Sequence, residues 1–270
     1  METRMSLYES LKPVPIMKTY VTPFHSTEHA VRCISDRIAN GGRAFCVAMN
    51  AAKLHYAGHR PDVVGALSAA DFWLCDGVGA VLAARLLRGR KVRRCTDGFL
   101  DALMVEAERK GWGVFLLGAS PKSNEGAADT VRRRFPRLRL VGQRDGYFES
   151  SDDVIRVVNE SEALVLVVAL GSPQQELWVA EHLNALKPCC IVTVGGALDV
   201  LSGNARRAPS VFRKTGTEFL YRLFAEPSRG RWARQLEVCA AALDVVKEYA
   251  RMRLGRKQAN EDAGVSRVSG

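Results

Sequence analysis

At 270 residues, 47% hydrophobic and 25% charged, the chain is long enough for one large core and too ordinary in composition for collagen, a long coiled coil or a disordered segment. Its formal charge of +10 suits an anionic partner, and charge alone does not choose among nucleic acid, membrane headgroups and phosphorylated substrates. No window reaches the roughly 18–20 uncharged apolar residues of a membrane span, and the N-terminus lacks the charged start, apolar run and cleavage site of a secretory signal.

In chain order, residues 1–24 hold three prolines and no sustained period, and read as a loosely ordered arm. From Ser26 onward helix and strand patterns alternate. Thr27–Ala39 reads as a helix closed by Gly41-Gly42, then Ala44–Met49 as a short apolar strand. Helices are expected from Ala51 and over Pro61–Ala70, followed by the strand Phe72–Cys75, a turn at Asp76–Gly79 and the helix Ala80–Leu87. The helix Thr96–Gly111 leads to the strand Gly113–Leu117, the helix Lys122–Arg134 and the strand Leu138–Gly142. The last cycles are helix Ser151–Ser161, strand Ala163–Leu170, helix Gln174–Leu186 and strand Cys190–Val194. Strands spaced by helices predict an α/β fold, a Rossmann-like mostly parallel sheet with helices on both faces.

After Gly203 the character changes. Residues 206–257 carry 13 basic and 5 acidic residues, a net of +8, with Trp, Tyr and Phe interleaved at helical spacing. The reading divides the chain into an N-terminal arm (1–24), an α/β core (25–204), a basic helical appendage (205–257) and a disordered tail (258–270). The seven cysteines hold no C-x-x-C pair, and Cys189 and Cys190, neighbours in a strand-like run, read as small core residues in a reducing cytosol.

Open α/β sheets bind ligands beyond the carboxyl ends of their strands. That rule nominates Asn50, Asp76, Gly118–Lys122, Gly171–Glu176 and Gly195–Asp199, each directly after an apolar strand. Asp76, followed by Gly-Val-Gly, suits a general base for an acceptor hydroxyl, and suits equally the cap of the next helix. The turns at Gly118 and Gly171 open helices, a setting that fits phosphate. Neither is a G-x-G-x-x-G fingerprint nor a P-loop, which disfavours a NAD enzyme and a P-loop nucleotidase. Gln175, Glu176 and Asp97 stand at helix starts, where a ligand contact and a cap are equally served. No D-x-D, G-x-S-x-G or H-E-x-x-H is present, and the five histidines show no metal-ligand grouping, so no metal site is expected. In the basic segment, Arg222, Arg229, Arg231 and Arg234 with Tyr221, Phe224 and Trp232 suit an anionic membrane face, a diphosphate or a solvated helix surface. Nucleic acid ranks below these, since no DNA-binding motif accompanies the charge.

Taken together and in order, these clusters resemble the WecG/TagA/CpsF glycosyltransferases, glycosyltransferase family 26. The likeness runs from about Phe45 to Arg234. Its pieces are Asn50, Ala69-Ala70-Asp71 leading to Asp76-Gly77-Val78-Gly79, Thr96-Asp97, Val114–Gly118 and Asp145-Gly146-Tyr147-Phe148. They continue with Leu170–Glu176, Val194–Asp199, Arg206-Arg207-Ala208-Pro209, Gly216–Leu223 and Glu226-Pro227-Ser228-Arg229.

The resemblance implies an inverting, metal-independent hexosyltransferase needing no cofactor. It would move a sugar from a UDP-sugar to a saccharide on polyprenyl diphosphate, in bacterial surface or exopolysaccharide synthesis, at the inner face of the cytoplasmic membrane. It assigns the base to Asp76 and places substrate near Asn50, Thr96, Asp97, Gly118, Gly171, Gln175, Glu176, Gly195, Gly196, Arg207, Arg222 and Arg229. It associates the Arg-rich segment with the anionic membrane surface and with completion of the active site. Departures from the family pattern are Ala48 for a threonine, Gln174 for a lysine, Cys95 for a glycine, Thr217 for a leucine and Phe219 for a tryptophan, with a shorter linker before Cys95. Loss of that hydroxyl and that cation motivates a second expectation, a non-catalytic nucleotide-sugar-binding or membrane-surface module. An apolar face of the core would be covered by the C-terminal segment or by a second copy of the chain.

Overall fold

The computed structural model describes residues 7–9, 11–205 and 237–254. Its centre is a six-stranded, all-parallel sheet built from β3 (Ala44–Met49), β4 (Phe72–Cys75), β5 (Gly113–Gly118), β6 (Arg139–Arg144), β7 (Val165–Ala169) and β8 (Cys190–Thr193). The strand order is β4-β3-β8-β7-β5-β6. Every residue of β5, β7 and β8 is buried, the pattern of parallel strands covered on both faces. The expected α/β class and parallel sheet are observed.

Among the described residues before 206, nine helices surround the sheet: α1 (Thr27–Ala39), α2 (Ala51–His59), α3 (Pro61–Ser68), α4 (Gly77–Arg88), α5 (Phe99–Lys110), α6 (Pro121–Arg134), α7 (Ser151–Glu160), α8 (Gln174–His182) and α9 (Ala197–Leu201). Local chemistry sets their starts. Ser26, Asn50, Ser120 and Ser150 each accept a backbone N–H from three residues ahead, satisfying donors the helix itself leaves unpaired. Helix α3 packs on α2 and α8, while α1 packs on α5 and α6 on α9, giving the two helical layers. A further helix, 237–254, lies against α2 with Ala241 and Val245 buried.

Residues 14–24 depart from the loosely ordered arm expected of 1–24. They form an antiparallel hairpin of β1 (Val14–Ile16) and β2 (Thr19–Val21), with Val14, Ile16, Val21 and Phe24 buried. Thr22 exchanges hydrogen bonds with the Trp73 backbone, its N–H at 2.8 Å and its Oγ1 at 3.0 Å. The hairpin therefore covers the edge strand β4, which would otherwise offer unpaired groups to another chain. Three-residue strands are too short for alternation to show in sequence. Helix α4 starts at Gly77 rather than Ala80, and α9 was not foreseen.

Five of the seven cysteines are buried, Cys189 is half-buried and Cys239 is exposed. Burial pushes the thiols of Cys33 and Cys95 up to about 11 and about 12, and raises that of Cys75 further. Native protein at pH 8 is expected to react with a thiol reagent rapidly at Cys239, and Cys239→Ser to remove that fast phase. Rapid labelling of more than two thiols in the folded protein would contradict this packing.

Candidate active site

Because all six strands run the same way, Asn50, Asp76, Gly118, Arg144, Gly171 and Gly195 emerge at one edge of the sheet. Two points on that edge are topological switches. The chain leaves β5 toward β6 but leaves its neighbour β7 toward β8, in the opposite direction. Likewise β3 leads to β4 on one side, while α9 after β8 packs against α6 on the other. Diverging connections open crevices, the usual ligand positions of such sheets.

Asp76 directly follows β4, and its N–H donates to the Met49 carbonyl at 2.8 Å, tying the ends of β4 and β3 together. It occupies the N-cap position of α4, yet its carboxylate caps nothing. Instead Oδ1 accepts a hydrogen bond from Thr96 Oγ1 at 2.7 Å. Thr96 arrives because the Cys95 N–H donates to the Cys75 carbonyl at 3.1 Å, extending β4's last residue sideways. Gly77, at φ +72, makes the turn into α4. Gly79 lets α4 approach α2: a Cβ there would stand 2.9 Å from that of Ala51. The Asp76 and Asn50 turns are thereby drawn together. Asn50 itself caps α2, its Oδ1 accepting from the Lys53 N–H at 3.2 Å. Asp97 is exposed, and its carbonyl accepts from Thr27 Oγ1 at 3.1 Å.

Gly118 ends β5 in register with Ala169 of β7. Its φ is +112, and a Cβ would meet the Ala169 carbonyl carbon and oxygen at 2.4 Å. Asn124 locks this turn from inside, donating through Nδ2 to the carbonyls of Gly118 and Arg144, both at 2.9 Å. Gly118→Ala is expected to lower stability by about 2–4 kcal/mol, combining left-handed strain with a clash against backbone that cannot yield. Gly171, at φ +81 with open space around its Cβ position, should lose only about 1 kcal/mol on the same change. Urea unfolding midpoints of the two variants test the contrast.

Gln175 and Glu176 face inward, at 1% and 0% exposure. Glu176 Oε1 pairs with Lys53 Nζ at 3.1 Å and accepts from Gln175 Nε2 at 2.6 Å, and Oε2 accepts from Ser172 Oγ at 3.1 Å. Lys53 Nζ also donates to the Ala48 carbonyl at 2.6 Å, and Gln175 Oε1 accepts from the Gly195 N–H at 3.1 Å. One buried network thus joins the loops after β3, β7 and β8. Gly195, at φ +54, and Gly196 form the turn into α9. Arg207, Arg222 and Arg229 lie outside the described residues.

Lys53 and Asn124 were not singled out by sequence, though a signal exists for each. Asn124 stands one place along the stripe Ala127, Ala128, Val131, so the apolar face of α6 carries a polar residue. Lys53 shares the buried side of α2 with Leu54 and Ala57. A third grouping adds a residue that the sequence did not connect to the histidines. His55 and His59 meet Asp244, which is 189 and 185 residues further along the chain.

The model of the glycosyl transferase WecG/TagA/CpsF family matches residues 14–255. The chain belongs to that family. Two similar proteins are named N-acetylglucosaminyldiphosphoundecaprenol N-acetyl-beta-D-mannosaminyltransferase. That of Bacillus spizizenii is 32% identical over 206 residues, 76% of this chain and 79% of the relative. That of Bacillus subtilis is 33% identical over 189 residues, 69% of this chain and 73% of the relative. In this WecG/TagA/CpsF member the matched region takes in both the hairpin and the helix 237–254. Among the described residues no helix is long and apolar enough to cross a membrane.

Proposed function

We propose that the protein transfers a hexosyl group from a UDP-sugar to a saccharide carried on polyprenyl diphosphate, with inversion and without a catalytic metal. The observation that carries this reading is Asp76: a carboxylate at a switch-point edge, standing at a helix start without capping it and oriented instead by Thr96. Spared from capping, it suits proton removal from an acceptor hydroxyl as that oxygen attacks the anomeric carbon. The relatives' names specify a β-linked product, and a single displacement on an α-linked UDP-sugar gives one. UDP would lie across the β5–β7 crevice, its diphosphate met by N–H groups of the Gly118 turn and the first turn of α6. Arg207, Arg222 and Arg229 are the proposed counter-charges. Residues 205–257 serve as a membrane-engaging appendage on the 25–204 core, and the enzyme works peripherally at the inner face of the cytoplasmic membrane in polysaccharide synthesis.

The test is UDP release from a panel of UDP-sugars, led by the N-acetylmannosamine donor, with vesicles carrying polyprenyl-diphosphate N-acetylglucosamine. Release that requires both donor and acceptor supports the proposal. UDP binding without release across the panel would replace it with a nucleotide-sugar-binding module.

A further inference from the structure

One cluster of side chains converges away from the proposed reaction. His55 and His59 stand one turn apart on the same face of α2, ring centroids 4.6 Å apart. From the helix 237–254, Asp244 brings Oδ2 to 2.7 Å from Nδ1 of His55 and 3.1 Å from Nε2 of His59. The three ligand atoms all lie within 4.8 Å of one another.

We propose that His55, His59 and Asp244 bind a divalent transition ion of the zinc class, which staples the helix 237–254 onto α2. Two imidazole nitrogens and one carboxylate oxygen match the donor preference of Zn2+ and Co2+ and leave a fourth position for water. An entry path exists, because the His59 side chain is 57% exposed while Asp244 is 13% exposed. His59 and Asp244 also line an open cavity of about 280 Å3.

The cavity's other walls sharpen the choice of ion. Lys18, Lys247 and Arg251 line it, with Glu248 as the opposing carboxylate. That surplus of positive charge disfavours Mg2+ and Ca2+, which rely on several anionic oxygens. Nitrogen ligation by neutral imidazole tolerates it better. Glu248, one turn beyond Asp244, lines the same cavity and pairs with Arg251 at 3.8 Å, which leaves the fourth position to water.

The role is structural. His59 lies nine residues past Asn50, roughly 13 Å of helix rise from the candidate active site. The ion would hold a helix whose buried anchors among the described residues are chiefly Ala241 and Val245, aided by the bond from Tyr56 Oη to Glu237 at 2.7 Å.

The test uses the full chain, stripped with a chelator and titrated with Co2+, then Zn2+. One Co2+ per chain should give intense visible d–d bands of four-coordinate geometry, be displaced by Zn2+, and raise the melting temperature. His59→Ala and Asp244→Asn should each bind Co2+ more weakly by at least the roughly 10–100-fold that losing even an outer-shell partner costs. Cys239→Ser, which removes the exposed thiol on the same helix, should keep the bands. Absence of Co2+ uptake by wild type would overturn the proposal, leaving His-to-carboxylate hydrogen bonds as the cluster's whole content. Equal uptake by wild type, His59→Ala and Asp244→Asn would overturn it too. Neither readout involves sugar transfer, so each is independent of the proposed reaction.

Discussion

Asp76→Asn is expected to fold and melt like the wild type while turning over about 10²–10⁴-fold more slowly, the usual contribution of a positioned base. The amide is nearly isosteric, and its oxygen still accepts the hydrogen bond from Thr96 Oγ1. No cap is lost either, because the carboxylate makes no bond to the first turn of α4. What disappears is the capacity to take a proton. Thr96→Val should cost less, about 10-fold, since it removes one orienting bond to the carboxylate and leaves the proposed base in place. The two rates are read from acceptor-dependent UDP release, with thermal melts alongside. Wild-type turnover by a folded Asp76→Asn protein would move the base elsewhere.

The largest stability effect is expected at Lys53–Glu176. Both side chains are almost wholly buried, at 3% and 1% exposure, so removing either leaves a charge in the interior without its opposite charge, held only by neutral hydrogen-bond partners. Lys53→Met alone or Glu176→Leu alone should destabilise by about 3–5 kcal/mol, a large part of the roughly 5–15 kcal/mol that holds a typical domain together. The double variant should recover most of that loss, because apolar side chains of similar volume replace a pair that is expensive to desolvate. Urea unfolding of the four proteins forms the cycle, and additive losses would show that the two groups do not act as a pair. The double variant also loses the carboxylate that orients Gln175, whose Oε1 holds the Gly195 N–H. It should therefore fold yet transfer sugar poorly.

The central strands were legible because parallel strands buried on both faces read as unbroken apolar runs, as at Val165–Ala169. Helix starts with a serine or asparagine cap were legible for the same local reason. The hairpin of residues 14–21 was not, since its stability comes from Val14, Ile16 and Val21 packing on distant parts of the chain. Glycine and polar residues after each strand marked the carboxyl edge of the sheet, where the structure brings their turns together. Their division of labour stayed hidden in the sequence. A buried Glu176 and a partly exposed Asp76 look alike in one dimension, and only the approach of Lys53 and of Thr96 separates a positioning carboxylate from one oriented at a helix start without capping it. His55 and His59 share a helical spacing visible in the sequence, but without H-E-x-x-H they point to no site, and Asp244 was hidden by distance along the chain, for spacing rules see only neighbours.

The strand order has a consequence for how the chain is made. The early pair β3–β4 and the middle trio β6–β5–β7 meet only through β8, which registers Ala44 with Cys190 on one side and Val165 with Cys190 on the other. During synthesis nearly two hundred residues emerge before that last strand can close the sheet. Until then β3 and β7 each present an open, strongly apolar edge, the kind that pairs readily with a neighbouring nascent chain. Dependence on one late, long-range pairing makes folding slow relative to the chain's local helices, and a polypeptide that stops short of Cys190 is left as two half-sheets prone to aggregate.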